Sequence, residues 1–248
     1  MADVSFGARD MTLRGWFIPS LNGAAVIFLH GTDADRTQLS REAHLLAKHG
    51  YGALLFDWPG HGQSDGGVTW DANERAALGA ALDFVSAAPD IDSSRIGLFA
   101  FSRGTMMAIQ VAAADQRVAA VAVEGAFADV SDALRHDFRH WGLLSQWPAL
   151  WTAQWLGMKS DKLRPVDVIG DIAPRAVFVI TGTADDIVPP RQSRELFDAA
   201  REPKSWWLIN GATHLHYADA AGSDYEDKVV GFFDDKLLQQ RKSSSLAR

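Results

Sequence analysis

Gly97-Leu98-Phe99-Ala100-Phe101-Ser102-Arg103-Gly104 runs from an apolar stretch into a serine with a small residue two positions to either side, after which apolar sequence resumes at once. This is the pattern of a strand that turns sharply into a helix with the serine at the apex, a nucleophile elbow. The small flanks follow from sterics, because the serine takes a strained backbone conformation while strand and helix pass close to each other. The usual form is Gly-x-Ser-x-Gly; here Ala100 stands first and adds one methyl group. The pattern predicts Ser102 above the edge of a sheet, its Oγ at the N-terminus of the following helix. Amide donors and the helix dipole there favour a developing oxyanion, which suits acyl transfer. Five residues specify little by themselves, and the surrounding chain supplies the context.

Upstream and downstream of the elbow, strands and helices alternate. Val4 to Arg9 and Thr12 to Pro19 read as two antiparallel strands joined at Asp10-Met11. Ala24 to His30, Gly52 to Trp58, Arg95 to Phe101, Val118 to Val123, Ala176 to Ile180 and Ser205 to Ile209 follow as apolar strands. Between them the spacing predicts a helix from about Gln38 that stops at Gly50, and another opened by an Asp71/Glu74 capping box and ended by Pro89. Met106 to Ala114 is apolar all round and belongs at the centre of the protein. A further helix is expected near Gln192 to Ala200, and Ser223 with Glu226 is expected to cap a last amphipathic one. The alternation predicts an α/β fold: a doubly wound, mostly parallel eight-stranded sheet covered on both faces.

Two stretches break the rhythm. Residues 129–171 are too long for a simple crossover and rich in Trp, Leu and His, so they are expected to form a short helical lid inserted over the carboxyl edge of the sheet. Residues 239–248 lack apolar periodicity and are expected to be a disordered tail on a single domain spanning 1–238. In the lid, Trp147, Trp151 and Trp155 recur every four residues and would share one helix face, either packing the lid down or roofing an apolar substrate pocket. His136 and His140 stand at i, i+4 with no third ligand apparent, which favours a solvated helix face over a metal site.

Composition narrows the chemistry. With 248 residues, 47% apolar and 22% charged, the chain is an ordinary globular protein large enough to bury one sizeable core. A net charge of -7 argues against nucleic acid or an anionic membrane as the main partner. The absence of cysteine removes disulfides, thiolate catalysis and thiolate metal sites. No stretch has the form of a leader peptide or a membrane span, so a cytoplasmic location is expected.

A serine nucleophile needs a base, an orienting acid and oxyanion donors, and in a doubly wound sheet each should follow a strand at its carboxyl end. After Ile180 comes Thr181-Gly182-Thr183-Ala184-Asp185-Asp186, and after Ile209 comes Asn210-Gly211-Ala212-Thr213-His214-Leu215-His216. Asp186, Glu124 and Asp129 rival Asp185 as the acid; His216 rivals His214 as the base, though register with Gly211 favours His214. Upstream, Val26-Ile27-Phe28-Leu29 runs into His30-Gly31-Thr32, whose loop amide is placed to donate to an oxyanion, with His30 itself structural. Gly60-His61-Gly62 lacks the ending of a phosphate loop and reads as a tight turn supporting that segment.

With these residues in view, the chain resembles the α/β-hydrolase family from about Val4 to Leu238, most closely its serine-esterase and lysophospholipase-like members. The resemblance rests on His30-Gly31, on Asp57, Gly60, Gly62 and Ser64 as Asp-x-x-Gly-x-Gly-x-Ser, on the elbow, and on the Gly-x-x-Asp-x-x-Val and Gly-x-x-His turns. It implies Ser102 as nucleophile, Asp185 as orienting acid, His214 as base, and the amides of Thr32 and Arg103 as the oxyanion hole. The implied activity is hydrolysis of small-molecule carboxylic esters of uncharged, moderately apolar acids, with no metal or organic cofactor. The same triad also serves acyltransferases, thioesterases and serine peptidases, and a non-catalytic binding protein on this fold is a further alternative. Serine at the elbow speaks against dehalogenase and epoxide hydrolase chemistry, where the family places Asp.

Overall fold

Eight strands assemble in the order β1-β2-β4-β3-β5-β6-β7-β8 in the computed structural model, which describes residues 1–68, 72–129 and 164–239. They are β1 (Ala2–Ala8), β2 (Met11–Ile18), β3 (Ala25–Leu29), β4 (Gly52–Phe56), β5 (Ile96–Phe101), β6 (Val118–Glu124), β7 (Ala176–Gly182) and β8 (Lys204–Ile209). β2 pairs antiparallel with β1 and β4, and every other pairing is parallel. This is the doubly wound, mostly parallel sheet that the alternation predicts. The described α-helices are α1 (Ser40–Lys48), α2 (Ala72–Ser86), α3 (Gly104–Ala114), α4 (Pro165–Val168), α5 (Pro190–Ala199), α6 (Tyr217–Ala221) and α7 (Ser223–Phe233).

The twofold periodicity of the central strands sends alternate side chains into two separate cores. Ile27, Leu29, Leu98 and Ala100 pack on one face with Leu78 and Leu82 of α2, Ile109 of α3 and Leu196 of α5. Val26, Phe28, Phe99 and Phe101 pack on the other with Leu46 of α1 and Tyr225, Val229 and Phe233 of α7. Each of the Leu, Ile, Val and Phe side chains among them stabilises the fold by about 1.5–3 kcal/mol relative to exposure. Gly97 is a glycine for this reason, since a Cβ there would lie 2.7 Å from the Phe233 ring. In α3, every residue from Gly104 to Ala112 is buried, in keeping with its all-round apolar sequence.

The chain departs from expectation at a helix start. Ser223 does not cap α7: it is the first helical residue, the cap position belongs to Gly222 at φ +59°, and no side chain caps the end. Glu226 turns outward to His49, 3.0 Å away. A glycine with positive φ bends the chain between α6 and α7 more economically than a serine cap would. α1 begins at Ser40, within two residues of its expected start, and ahead of it the Asp35 carboxylate accepts from the Thr37 amide at 2.8 Å in a local turn. Asp71 lies outside the described residues, as do residues 130–163, which hold most of the expected lid with His136, His140, Trp147, Trp151 and Trp155, and 240–248 of the expected tail. No helix among the described residues is long and apolar enough to cross a membrane.

The topology also says where a ligand should sit. From β3 the chain moves to β4 on one side and then crosses to β5 on the other, so the order reverses at β3. Beyond the carboxyl ends of β3 and β5 the connections diverge and leave a crevice, the usual ligand position in an open α/β sheet. Ser102 and the His30–Thr32 loop are the residues that follow those two strands.

Candidate active site

Ser102 has φ +51°, a left-handed conformation that costs a non-glycine residue of order 1–3 kcal/mol and persists only where its surroundings impose it. Here the Ser102 amide donates to the Glu124 carbonyl at 2.9 Å, and the Thr105 hydroxyl donates to the Ser102 carbonyl at 2.6 Å. Gly104 has no alternative, because a Cβ would lie 2.4 Å from the Leu29 carbonyl oxygen and 2.8 Å from that of His30. Ala100 is wholly buried in the core beneath, where its methyl is accommodated.

The turns after β7 and β8 press against each other. An added Cβ on Gly182 would meet the Ala212 carbonyl at 2.2 Å, and the Ala184 amide donates to that same carbonyl at 3.1 Å. This contact brings Asp185 and His214 together. His214 Nδ1 lies 2.9 Å from Asp185 Oδ2, and its Nε2 lies 3.0 Å from Ser102 Oγ. A carboxylate only accepts, so Nδ1 carries the proton and donates, which leaves Nε2 free to accept from the Ser102 hydroxyl. Asp185 is buried, and its Oδ1 accepts from the amides of Ile187 at 3.0 Å and Val188 at 2.8 Å. The Phe101 ring, 4.8 Å from the imidazole, backs His214.

The rival residues are placed elsewhere. Asp186 and His216 are exposed, and His216 Nδ1 approaches Asp219 at 3.4 Å. Asp129 lies 3.7 Å from Arg164. Glu124 is buried at the end of β6, where its Oε1 accepts from the Tyr225 hydroxyl at 2.9 Å. Burial, and next the neighbouring Glu42 charge, push its carboxyl well above its ordinary range, which disfavours the charged form.

On the β3 side, Gly31 lies against the elbow: a Cβ there would meet Ser102 Cβ and Phe101 Cδ1, each at 3.2 Å. Thr32 is the next residue, and Arg103 is the residue that opens α3. The loop is held from behind. His30 Nε2 accepts from the Trp58 amide at 3.1 Å and its Nδ1 donates to the Gly31 carbonyl at 2.9 Å; burial lowers this imidazole to about 4. In a trans peptide the N–H points opposite to the C=O. Fixing the Gly31 carbonyl therefore fixes the direction of the Thr32 amide. Asp57 secures the rest of the loop, accepting from the Arg36 amide at 2.8 Å, Arg36 Nη1 at 3.0 Å and the Gln63 amide at 2.8 Å. A Cβ on Gly62 would fall 2.2 Å from the Asp57 carboxylate, so Gly60-His61-Gly62 is the tight turn that its sequence suggests.

Two features of the site escape the sequence reading. The Arg103 side chain, considered there only for its amide, is buried, ion-paired with Glu74 of α2 and 3.1 Å from His61 Nε2. A charged residue inside an otherwise apolar helix start was the available signal. The second is Tyr217, whose buried hydroxyl donates to Asp185 Oδ2.

The fold has counterparts among known proteins. The family model for the alpha/beta hydrolase fold matches residues 24–147. The protein Rv2307c of Mycobacterium tuberculosis is 30% identical over 225 residues, covering 86% of this chain and 72% of its own. The protein YfhR of Escherichia coli K12 is 26% identical over 247 residues, covering 96% and 82%. Among solved structures, the Pyrococcus furiosus esterase Pf2001 superposes with a TM-score of 0.80 at 21% identity, over 95% of this chain and 91% of that one.

Proposed function

The chain belongs to the alpha/beta hydrolase family, and on that premise we propose that it is a serine hydrolase cleaving carboxylic esters of uncharged, moderately apolar acids through an acyl-enzyme. The observation that carries the reading is the hydrogen-bonded chain from Ser102 through His214 to Asp185, at 3.0 and 2.9 Å. In the proposed reaction Ser102 Oγ attacks the ester carbonyl carbon while His214 Nε2 takes the hydroxyl proton. The tetrahedral oxyanion is held by the amides of Thr32 and Arg103. Its collapse breaks the bond to the alkoxy oxygen, which leaves as alcohol with the proton from His214. Water, activated by the same imidazole, then attacks the acyl carbon and returns Ser102 with release of the acid. Asp185 holds the imidazole tautomer throughout and stabilises the imidazolium. The esterase activity named for the Pyrococcus furiosus neighbour is consistent with this class of substrate, and we extend the proposal to Trp147, Trp151 and Trp155 as apolar contacts for the acyl chain.

The test is labelling by a fluorophosphonate together with turnover of p-nitrophenyl esters from acetate to octanoate. Wild-type protein should label and turn over esters, and Ser102→Ala should lose the label and several orders of magnitude in kcat. Wild-type-like turnover in a pure Ser102→Ala preparation sinks the reading. Trp151→Ala should move the chain-length profile toward acetate, each uncovered methylene forfeiting up to about 0.8 kcal/mol.

A further inference from the structure

Asp185 carries more hydrogen bonds than orienting a histidine requires. Oδ1 takes the two turn amides of Ile187 and Val188. Oδ2 takes His214 Nδ1 and, as a second donor, the hydroxyl of Tyr217. Together these occupy the roughly four lone-pair positions of a carboxylate.

The site is shaped around that second donor. Tyr217 begins α6 and is 2% exposed. Its hydroxyl points into a space left by Gly125, where φ is +59° and an added Cβ would lie 2.9 Å from the Tyr217 oxygen and 3.3 Å from His214 Cε1. Phe101 touches both rings, edge-on to Tyr217 at 6.2 Å and tilted over His214 at 4.8 Å. Burial, and next the adjacent Asp185 charge, raise the Tyr217 hydroxyl far above its ordinary range, so it remains a donor at any working pH.

We propose that Tyr217 is a positioning residue of the reaction centre, its hydroxyl sharing Asp185 Oδ2 with His214 and so fixing the carboxylate that orients the imidazole. The proposal rests on the serine-hydrolase reading for its effect on rate. The hydroxyl restrains the carboxylate where two amides alone would leave Oδ2 tethered only by the residue it must orient. It also draws off part of the carboxylate charge, which keeps Oδ2 from becoming a stronger acceptor for the imidazole proton. Tyr217 does not reach the Ser102 side of the imidazole through any bond described above, so its loss should register in kcat and leave KM alone.

Tyr217→Phe keeps the ring and removes only the hydroxyl. We expect kcat to fall by about 10- to 100-fold, the range set by the loss of such a bond, with KM within about twofold. In an Asp185→Asn background the same substitution should change kcat little, because the group it acts through is already gone. A structural role alone predicts the same loss in both backgrounds. A second readout does not depend on turnover: the downfield proton NMR resonance of His214 Nδ1–H, assigned by its absence in His214→Ala, should move further downfield in Tyr217→Phe. Equal losses in both backgrounds, or an unmoved resonance, overturn the proposal. Retention of turnover by Ser102→Ala would instead remove the serine-hydrolase reading, and the resonance would still decide whether Tyr217 controls the Asp185–His214 bond.

Discussion

Two buried polar networks flank Ser102, and they are built on opposite principles. Toward β7 and β8, a single carboxylate, Asp185, is surrounded by neutral donors: two amides, an imidazole and a tyrosine hydroxyl. Toward β4 and α2, a guanidinium, Arg103, is matched by a carboxylate, Glu74, and by a neutral imidazole, His61. The first network holds a charge without cancelling it, which in the proposed reaction leaves that charge available to an imidazolium forming beside it. The second cancels its charge locally. Pre-organised but uncompensated charge serves chemistry, whereas a compensated buried pair fixes structure and is costly chiefly when one half is removed.

The comparison breaks most visibly at Asp185. Asp185→Asn keeps the shape and the backbone bonds but reverses what the side chain asks of His214, so kcat should fall by about four orders of magnitude while Tm stays near wild type. Asp186→Asn, one residue on and exposed, should leave turnover close to wild type. Kinetics and melting of the two variants check this directly. If Asp186→Asn is the inactive one, the acid is misassigned and the first network loses its centre.

The opposite signature is expected at Glu74. Glu74→Ala strands a buried guanidinium, and removing one partner of such a pair costs about 3–5 kcal/mol. For a chain of this size that amounts to a Tm lower by roughly 6–20 °C. Arg103→Met combined with Glu74→Leu should recover much of the loss, since a well-packed apolar pair replaces a buried ion pair at little cost. Melting curves that fail to separate the single from the double variant would show that the pair is not a compensated unit.

The two networks also differ in how far the sequence discloses them. The strands are legible because a continuous apolar run bounded by turns has few other uses, and the places of Ser102, Asp185 and His214 follow from chain order and strand ends. Thr32 and Arg103 enter as proposed amide donors through the family resemblance. The Arg103 side chain is signalled only by its charge at an apolar helix start, and its partner is not signalled at all, because Glu74 sits 29 residues away on a helix whose periodicity gives no reason to expect a charge facing inward. Tyr217 is hidden differently: Asp185 is 32 residues upstream, and a tyrosine just after a histidine turn reads as ordinary core. The α7 start departs from its sequence pattern because Ser223-x-x-Glu226 satisfies a capping box locally, while Gly222 settles the turn through a backbone conformation that side-chain patterns do not encode.

Glu124 offers the smallest effect and the finest test, because it lies behind the carboxylate network and should be the acid there that carries no charge. Its folded-state carboxyl is raised, first by burial and then by Glu42, so the sign of its pH dependence is fixed. Below the unfolded value of about 4.5, folded and unfolded chains are both protonated, and its contribution to stability is fully present. As pH climbs past that value the unfolded chain ionises first, and stability is lost progressively until the folded carboxyl itself titrates. Glu124→Gln removes the titration while keeping an oxygen to accept from Tyr225 and an N–H in place of the carboxyl proton. The variant should therefore melt near wild type at pH 4.5 and above it at pH 8, with turnover little changed. Parallel Tm curves across that interval would mean that Glu124 is ionised in the folded protein, and Asp185 would then share its surroundings with a second negative charge.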